Sequence, residues 1–516
     1  MAFDPSRSDL TLGIVGAGIM GRGIAQVAAE AGIRVLIADA RPEAVAEALT
    51  FCADMIRRKA AKGALSAEDA DASIERIRRA APGADEPYAD FARCHLVIEA
   101  VAERLDVKHE VMAALERVVG DDCVLATNTS SLSVTAIAAK ARLPQRVAGF
   151  HFFNPVPLMR LVEVIGGART DESVLAALAG LARRIGHKPV RATDTPGFLV
   201  NHASRAFGTE ALRIVSEGIA DVADVDRVMT ETAGFRMGPF AFFDLTGLDV
   251  SHTVMESIYH QYYEEPRHRP VVMTARRAAA GLLGRKSGQG FYTYRDGAAE
   301  KPPEAPPPSL DRTRPLWISS RFPKAAEALR ACLAKAGATI ETGASPSPEA
   351  VIVLTPFGED TTTAALAEGL DPARAVAVDC LFGLDRRRTL MHTPATAPEI
   401  LHAAHAWLAA DGSAVTVIHD SPGFIAQRIV ACIVNVGCEI AQQRIAAPED
   451  IDTATELGLN YPRGSLRFGD ELGPRRILAI LEACHAFYGD PRYRPSPWLK
   501  RRALLGLPLT APERRT

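Results

Sequence analysis

Short unbroken apolar runs alternate with longer stretches of helical periodicity through the N-terminal part of the chain. Leu12-Gly-Ile-Val15 is one such run, and Gly21 to Gly32 is an Ala-rich stretch that reads as a helix closed by glycine. Arg34–Ala38 (RVLIA) follows as a second strand, then Pro42 near the start of a long helix, then the runs His95–Glu99 (HLVIE) and Cys123–Ala126 (CVLA). Strands that are apolar at every position have both faces covered, so the alternation predicts a parallel α/β sheet with helices on each side. Beyond about Thr193 the pattern becomes helical, with few strand-like runs. Residues 297–315 (GAAEKPPEAPPPSLDRTRP) break the composition and predict an extended Pro-rich linker. Short apolar runs then return at Leu316–Ile318, Ala350–Leu354, Ala375–Val378 and Val415–Ile418, predicting a second, smaller α/β layer.

An internal repeat organises the rest. Asp194-Thr-Pro-Gly-Phe198 recurs as Asp420-Ser-Pro-Gly-Phe424, Asp224-Val-Asp226 as Asp450-Ile-Asp452, and Gly238 with Asp244 as Gly464 with Asp470. The offsets agree (420 − 194, 452 − 226 and 470 − 244 are each 226), so the copies align without a gap. Two copies are too few for a solenoid and point to a duplicated helical domain. The expected order is an α/β domain at 1–192, a helical domain at 193–296, the linker, a small α/β segment at 316–419 and a second helical copy at 420–516.

Composition narrows the function. At 516 residues the chain is too long for one typical domain, and 47 % hydrophobic with 23 % charged residues is ordinary for a globular protein. A formal charge of −3 gives no reason to expect nucleic acid or an anionic membrane as partner. The first residues, MAFDPSRSDL, carry no apolar core of a secretory signal, and no run approaches the ~18 apolar residues of a membrane span. Eight cysteines without a CxxC read as reduced thiols in a cytoplasmic protein, with no disulfide framework and no metal site.

Gly16-Ala-Gly18-Ile19-Met20-Gly21 directly follows a strand and opens a helix. Gly16 permits the tight turn, Gly18 lets backbone approach a pyrophosphate, and Gly21 allows close helix–strand packing. Alone the motif marks only a turn. Here Asp39 ends the next strand, 39 − 21 = 18 residues on, where a carboxylate can bond an adenosine ribose and would repel a 2′-phosphate. This favours NAD; Arg41 reads as stacked on adenine or simply solvated.

Val147-Ala-Gly-Phe-His151-Phe-Phe-Asn154-Pro155 is followed by Leu161-Val-Glu163-Val-Ile165. A hairpin centred near Pro157 sets His151 across from Glu163 (157 − 6 and 157 + 6). A carboxylate on one ring nitrogen would fix the tautomer and raise the basicity of the other. A core histidine paired for solubility fits equally well at this point. Thr127-Asn128-Thr-Ser130-Ser131 lies at the carboxyl end of a strand, where doubly wound sheets bind ligands, and also fits a helix N-cap. Asn201 by itself reads as an ordinary helix amide, and Glu103 with Lys108 as a solvated helix face.

Taken together, GIVGAGIMGRGIAQVAAEAG, NTSSLSVTAIA, GFHFFNPVPLMRLVEV, DTPGFLVN and GRKSGQGFY resemble the 3-hydroxyacyl-CoA dehydrogenase family, in that family's order, over residues 10–295. ELGLNYPRGSLRFGDELG resembles its longer members with two C-terminal domains. The resemblance implies a Rossmann-type NAD-binding domain, all-α C-terminal domains with a degenerate α/β segment between the two copies, and oxidation of a short L-3-hydroxyacyl-CoA. It implies His151 as base, Glu163 as its partner, Ser130 on the reacting oxygen and Asn201 on the substrate. It further implies NAD contacts from Glu103, Lys108, Asn128, Ser130, Asn154 and Lys286, with Lys62 near coenzyme A. The alternatives are a free 3-hydroxyacid dehydrogenase, which would use a lysine, and a non-catalytic crystallin-like relative, against which the intact residue set counts. The family usually has Asn-Arg where this chain has Asn201-His202, and Gln427 stands where Asn201 does in the first copy. The second half, lacking GxGxxG and HFFNP, is expected to be catalytically empty and to serve packing, in a homodimer or an intrachain pseudo-dimer. Arg205, Arg213 and Arg236 are candidates to meet a carboxylate at the acyl tail's end.

Overall fold

The computed structural model describes residues 3–81, 86–310 and 312–513. The chain forms two compact units. One comprises the residues up to His202 together with Gln443–Leu459, the other Ala203–Gln442 with the residues from Asn460 onward.

The first unit is an eight-stranded sheet: β1 (Thr11–Val15), β2 (Arg34–Ala38), β3 (Ile77–Arg79), β4 (Leu96–Glu99), β5 (Val124–Thr127), β6 (Val147–Phe152), β7 (Leu161–Gly166) and β8 (Lys188–Thr193). Their order is β3-β2-β1-β4-β5-β6-β7-β8. Neighbours are parallel except β6 and β7, which form the antiparallel hairpin expected from the sequence. The unbroken apolar runs have a direct cause. Ile14, Val35, Ile37 and Ile98 enter the core on one face, while Val15, Leu36, Val97 and Leu125 enter the core on the other. Each strand thus alternates between two cores under two helical layers.

Two strands of this sheet carry no apolar run. β3 (IRR) and β8 (KPVRAT) stand at the two ends of the order and expose Arg78, Arg79, Lys188, Arg191 and Thr193, so polar edge positions hide them from a periodicity reading.

The second unit is helical over residues 203–280, with helices at Arg205–Ser216, Pro239–Thr246 and Leu248–Gln261. The Pro-rich stretch is less free than its composition predicts. β9 (Thr293–Arg295) and β10 (Ala298–Glu300) form a hairpin about Asp296 and Gly297, both at positive φ (50° and 78°). Glu304 then pairs with Arg387 at 2.8 Å; residue 311 of this stretch lies outside the described residues. A six-stranded sheet follows: β11 (Leu316–Ile318), β12 (Ile340–Glu341), β13 (Val351–Leu354), β14 (Ala375–Val378), β15 (Arg388–His392) and β16 (Val415–His419), in the order β12-β11-β13-β14-β15-β16. Only β14 and β15 are antiparallel. β15 (RTLMH) escapes an apolar pattern because it begins with a buried arginine. Arg388 is tolerated there because Asp411 takes a fork of two bonds at 3.0 and 2.6 Å. The C-terminal helices surround Ala426–Gln442, which is buried along nearly its whole length. Among the described residues no helix is long and apolar enough to cross a membrane.

Candidate active site

The glycine-rich turn joins β1 to the helix Ile19–Glu30. Gly16 has φ +106°, and its amide donates to Ala38 O at 2.8 Å, tying the turn to the end of β2. A Cβ on Gly21 would lie 1.8 Å from Gly16 O, so only glycine lets the helix approach so closely. Gly18, at the helix N-cap, is different: a Cβ there would meet nothing within 4 Å, and no side chain caps the helix. The first amides of the helix therefore have no side-chain cap and the space beside Gly18 is open, as an anionic pyrophosphate requires. Ile19 is exposed beside them and Met20 packs partly against the core. Asp39 closes the turn from the other side, accepting from Ala17 N at 2.8 Å and Arg41 N at 2.9 Å. Arg41 itself is exposed.

On the hairpin, His151 pairs directly with Glu163 in the antiparallel register, as counting outward from Pro157 predicts. His151 Nδ1 donates to Glu163 Oε2 at 2.6 Å, and Nε2 faces Ser130 Oγ at 3.0 Å. The other oxygen of Glu163 accepts from the amides of Leu199 and Val200 at 2.9 and 2.8 Å. Every neighbour of the carboxylate is thus a donor, which fixes Nδ1–H and leaves the Nε2 lone pair toward Ser130. His151 and Glu163 are buried, and Phe198, at φ +49° in the turn that offers the two amides, lies 5.9 Å from the imidazole between ring centroids.

Ser130 is held from behind. Glu103 Oε1 accepts from Thr129 Oγ1 (2.6 Å), Ser130 N (2.9 Å), Ser131 N (2.9 Å) and Ser131 Oγ (3.0 Å). Burial raises the Glu103 carboxyl, but the Thr129 bond, the Lys108 charge and the two amides outweigh it and hold it below the usual glutamate range. The solvated face expected for Glu103 and Lys108 is corrected for the lysine: Glu103 is exposed, but Lys108 is buried, with Nζ 2.9 Å from both oxygens of Glu99 and 3.4 Å from Glu103 Oε2. Glu99, at the end of β4, also accepts from Thr127 Oγ1 and from Val101 N. Sequence reading missed Glu99; the available signal was a carboxylate ending an otherwise apolar strand.

Asn128 Oδ1 accepts from Phe152 N at 2.9 Å, locking the Ser130 loop to β6. Asn154 is exposed just past β6, Asn201 is half-buried in the first turn after the Leu199–Val200 amides, and His202 is buried. Lys62 is exposed at the end of the helix Pro42–Ala61. Lys286 belongs to the second unit, where it pairs with Asp249 at 2.6 Å. Of the three arginines considered for the acyl tail, Arg213 donates to Arg269 O and Arg236 to Asn460 Oδ1, while burial pushes Arg205 down to about 10.

The family model described as 3-hydroxyacyl-CoA dehydrogenase, NAD binding domain, matches residues 11–195. The model of the C-terminal domain matches residues 197–294 and 423–511. The chain belongs to the 3-hydroxyacyl-CoA dehydrogenase family. As a member it is an NAD-dependent oxidoreductase of 3-hydroxyacyl-CoA, as the motifs implied. It is 36 % identical over 501 residues to 3-hydroxyadipyl-CoA dehydrogenase of Escherichia coli, an alignment covering 96 % of this chain and 98 % of that one. It is 35 % identical to the human mitochondrial hydroxyacyl-coenzyme A dehydrogenase over 55 % of this chain and 90 % of the relative. Its fold matches a crystal structure of 3-hydroxybutyryl-CoA dehydrogenase from Escherichia coli K12 with a TM-score of 0.85 and 34 % identity, covering 96 % of this chain and 98 % of that one.

Proposed function

We propose that the protein oxidises short-chain L-3-hydroxyacyl-CoA thioesters, 3-hydroxybutyryl-CoA or 3-hydroxyadipyl-CoA, through a Ser130–His151–Glu163 relay. The observation that carries this reading is the imidazole held between a hydroxyl at 3.0 Å and a carboxylate at 2.6 Å. NAD fits the first unit: the uncapped amides after Gly18 suit its pyrophosphate, and Asp39 suits the adenosine ribose. When bound there, the nicotinamide supplies the hydride acceptor.

His151 Nε2 takes the proton of the substrate 3-hydroxyl as the hydrogen on C3 leaves with its electron pair, so one two-electron oxidation releases one proton to the enzyme. Ser130 Oγ, beside Nε2, hydrogen-bonds the reacting oxygen and keeps it in line. Glu163 faces the imidazolium and offsets its charge without moving, because β6 and β7 fix both partners. Asn201 contacts the substrate, and Glu103, Lys108, Asn128, Asn154 and Lys286 serve the cofactor side. Glu103 does so while holding Ser130, and Lys108 through its bonds to Glu99 and Glu103. Lys62 meets coenzyme A. The test is NADH consumption with acetoacetyl-CoA and with 3-oxoadipyl-CoA. His151→Ala should lower turnover about 10²–10⁴-fold, and the ratio of the two substrates assigns the acyl chain. No turnover with either alongside tight NADH binding would favour a non-catalytic relative.

The reading extends to the whole chain as a duplication, with domains at 1–192, 193–296, 316–419 and 420–516 and the linker at 297–315. Asp194 accepts from Ser133 Oγ and from the amides of Val134 and Thr135; Asp420 accepts from Thr361 N and from Thr362 N and Oγ1. Phe198 and Phe424 share φ +49°. The β14–β15–β16 pairing repeats the antiparallel-then-parallel pattern of β6–β7–β8. The segment 316–419 is then a degenerate remnant of the NAD-binding domain. In place of the His–Glu pair, Asp379 there donates its amide to Thr389 O across the hairpin. The two helical copies form a pseudo-dimer within one chain. Its centre is the buried Arg428, which pairs with Glu210 and, at 2.9 Å, with Glu217.

A further inference from the structure

β8 ends the first sheet, yet its outer edge is not bare. Thr193 N donates to Ile445 O at 2.9 Å and Arg191 N to Asp450 Oδ2 at 3.2 Å, while Lys188 pairs with Glu449 at 3.7 Å. The covering segment, Gln443–Leu459, comes from the second helical copy and is part of the first compact unit. Its helix Pro448–Leu459 ends against the backbone that holds Glu163. A Cβ built on Gly458 would stand 2.8 Å from Leu161 Cδ2 and 3.2 Å from both Cγ atoms of Val200.

These two neighbours matter. Leu161 lies two residues before Glu163 on β7, so both side chains leave the same face of the strand. Val200 supplies one of the two amides bonded to Glu163 Oε1. The turn before it runs through Gly197 and Phe198, both at positive φ (75° and 49°), a conformation that a phenylalanine keeps only when its surroundings enforce it. Phe198, Val200 and Leu161 are all buried.

The arrangement is reciprocal under the 226-residue offset, but not identical. His419 N donates to Ile219 O at 3.0 Å, repeating Thr193 N to Ile445 O (419 − 193 and 445 − 219 are both 226). At the counterpart of Gly458, however, Thr232 Oγ1 donates to Arg387 O at 3.0 Å, where Arg387 is the counterpart of Leu161 (458 − 232 and 387 − 161 are both 226). The side-chain-free contact occurs on the copy that carries the His–Glu pair.

We propose that the helix Pro448–Leu459 of the second copy positions the Glu163–His151 pair of the first, with Gly458 as the positioning residue that seats Val200 under Glu163. The second half is then catalytically empty yet required for full turnover at the site it does not contain. This rests on the His151–Glu163 assignment above. The experiment uses the full chain. Gly458→Val should lower kcat about 10–100-fold, the scale of a small misplacement at a reacting centre. KM for acetoacetyl-CoA, the NADH Kd from fluorescence titration and the melting temperature should stay close to wild type. The double variant Gly458→Val/Val200→Ala, which removes the two Val200 Cγ atoms at 3.2 Å and leaves only Leu161 Cδ2, the free end of a side chain, to give way, should recover most of that loss, leaving kcat near that of Val200→Ala alone. If Gly458→Val does not fold, Gly458→Ala provides the smaller graded step, with kcat reduced about 2–5-fold. Unchanged kcat in the folded variants, or a loss that Val200→Ala does not relieve, overturns the proposal. Failure of the underlying assignment is separate: the wild-type chain would then turn over neither acyl-CoA, or His151→Ala would keep wild-type turnover.

Discussion

Glu163→Gln removes one charge and almost no volume, so its effect can be worked from the hydrogen bonds alone. The carboxylate serves two sets of donors: Oε2 takes His151 Nδ1–H, and Oε1 takes the amides of Leu199 and Val200. Glutamine has one oxygen and one NH₂. If the oxygen turns to the two amides, the NH₂ faces Nδ1 and forces it to become the acceptor. The proton then sits on Nε2, which can no longer accept the substrate's. If the oxygen turns to His151, the productive tautomer survives but two buried amides face an NH₂ with no acceptor, at about 1–3 kcal/mol each. The productive arrangement therefore lies about 2–6 kcal/mol above the unproductive one, and kcat should fall roughly 30- to 10⁴-fold. Steady-state NADH oxidation at saturating acetoacetyl-CoA reads this directly. NADH affinity should change little, since the glycine-rich turn lies elsewhere on the sheet. A kcat within threefold of wild type, in a variant that melts normally, would refute the tautomer account and with it the role given to Glu163.

Three further outcomes follow from the same network and from the second half. Glu103→Ala strips four donors in the Thr129–Ser131 loop of their acceptor, and kcat/KM should drop about 10–100-fold as Ser130 drifts from His151. Wild-type kcat/KM in that variant would mean that the loop holds itself. Because the Glu103 carboxyl is held below its ordinary value, its contribution to stability is complete above the unfolded glutamate's titration. It is lost as pH falls through the lowered folded value, so acid unfolding of wild type and variant should converge. Asp379 has the opposite sign: burial pushes it up to about 6. Its ionisation should remove about 3 kcal/mol of stability as pH rises from about 4 to about 6. Urea titrations should give Asp379→Asn a flatter profile over that window; equal slopes would exclude Asp379 as the cause.

The parts of this architecture legible in the sequence are those set by local periodicity or by counting. Gly16 to Gly21 can be read because turn, helix and strand are contiguous, and the His151–Glu163 pairing because a hairpin register follows from its turn. Lys108 illustrates where this ends. Its helix face is polar in sequence, and only the approach of Glu99 from β4 and Thr127 from β5 converts a solvated lysine into a buried ion-pair centre. β8 and β15 escape because one is a polar edge and the other is opened by an arginine whose counter-charge, Asp411, lies 23 residues away. Gly458 is furthest out of reach: its meaning depends on Leu161 and Val200, and nothing in ELGLN distinguishes it from any helix glycine.

The discontinuity of the first unit also has a consequence in time. During synthesis the sheet through His202 emerges first, and the segment that covers β8 arrives only after 443 − 202 = 241 further residues. At about 5–20 residues per second this interval is roughly 12–50 s. Throughout it the nascent chain offers an unpaired strand edge, the kind of exposure that makes partly folded chains prone to aggregate and to need chaperones.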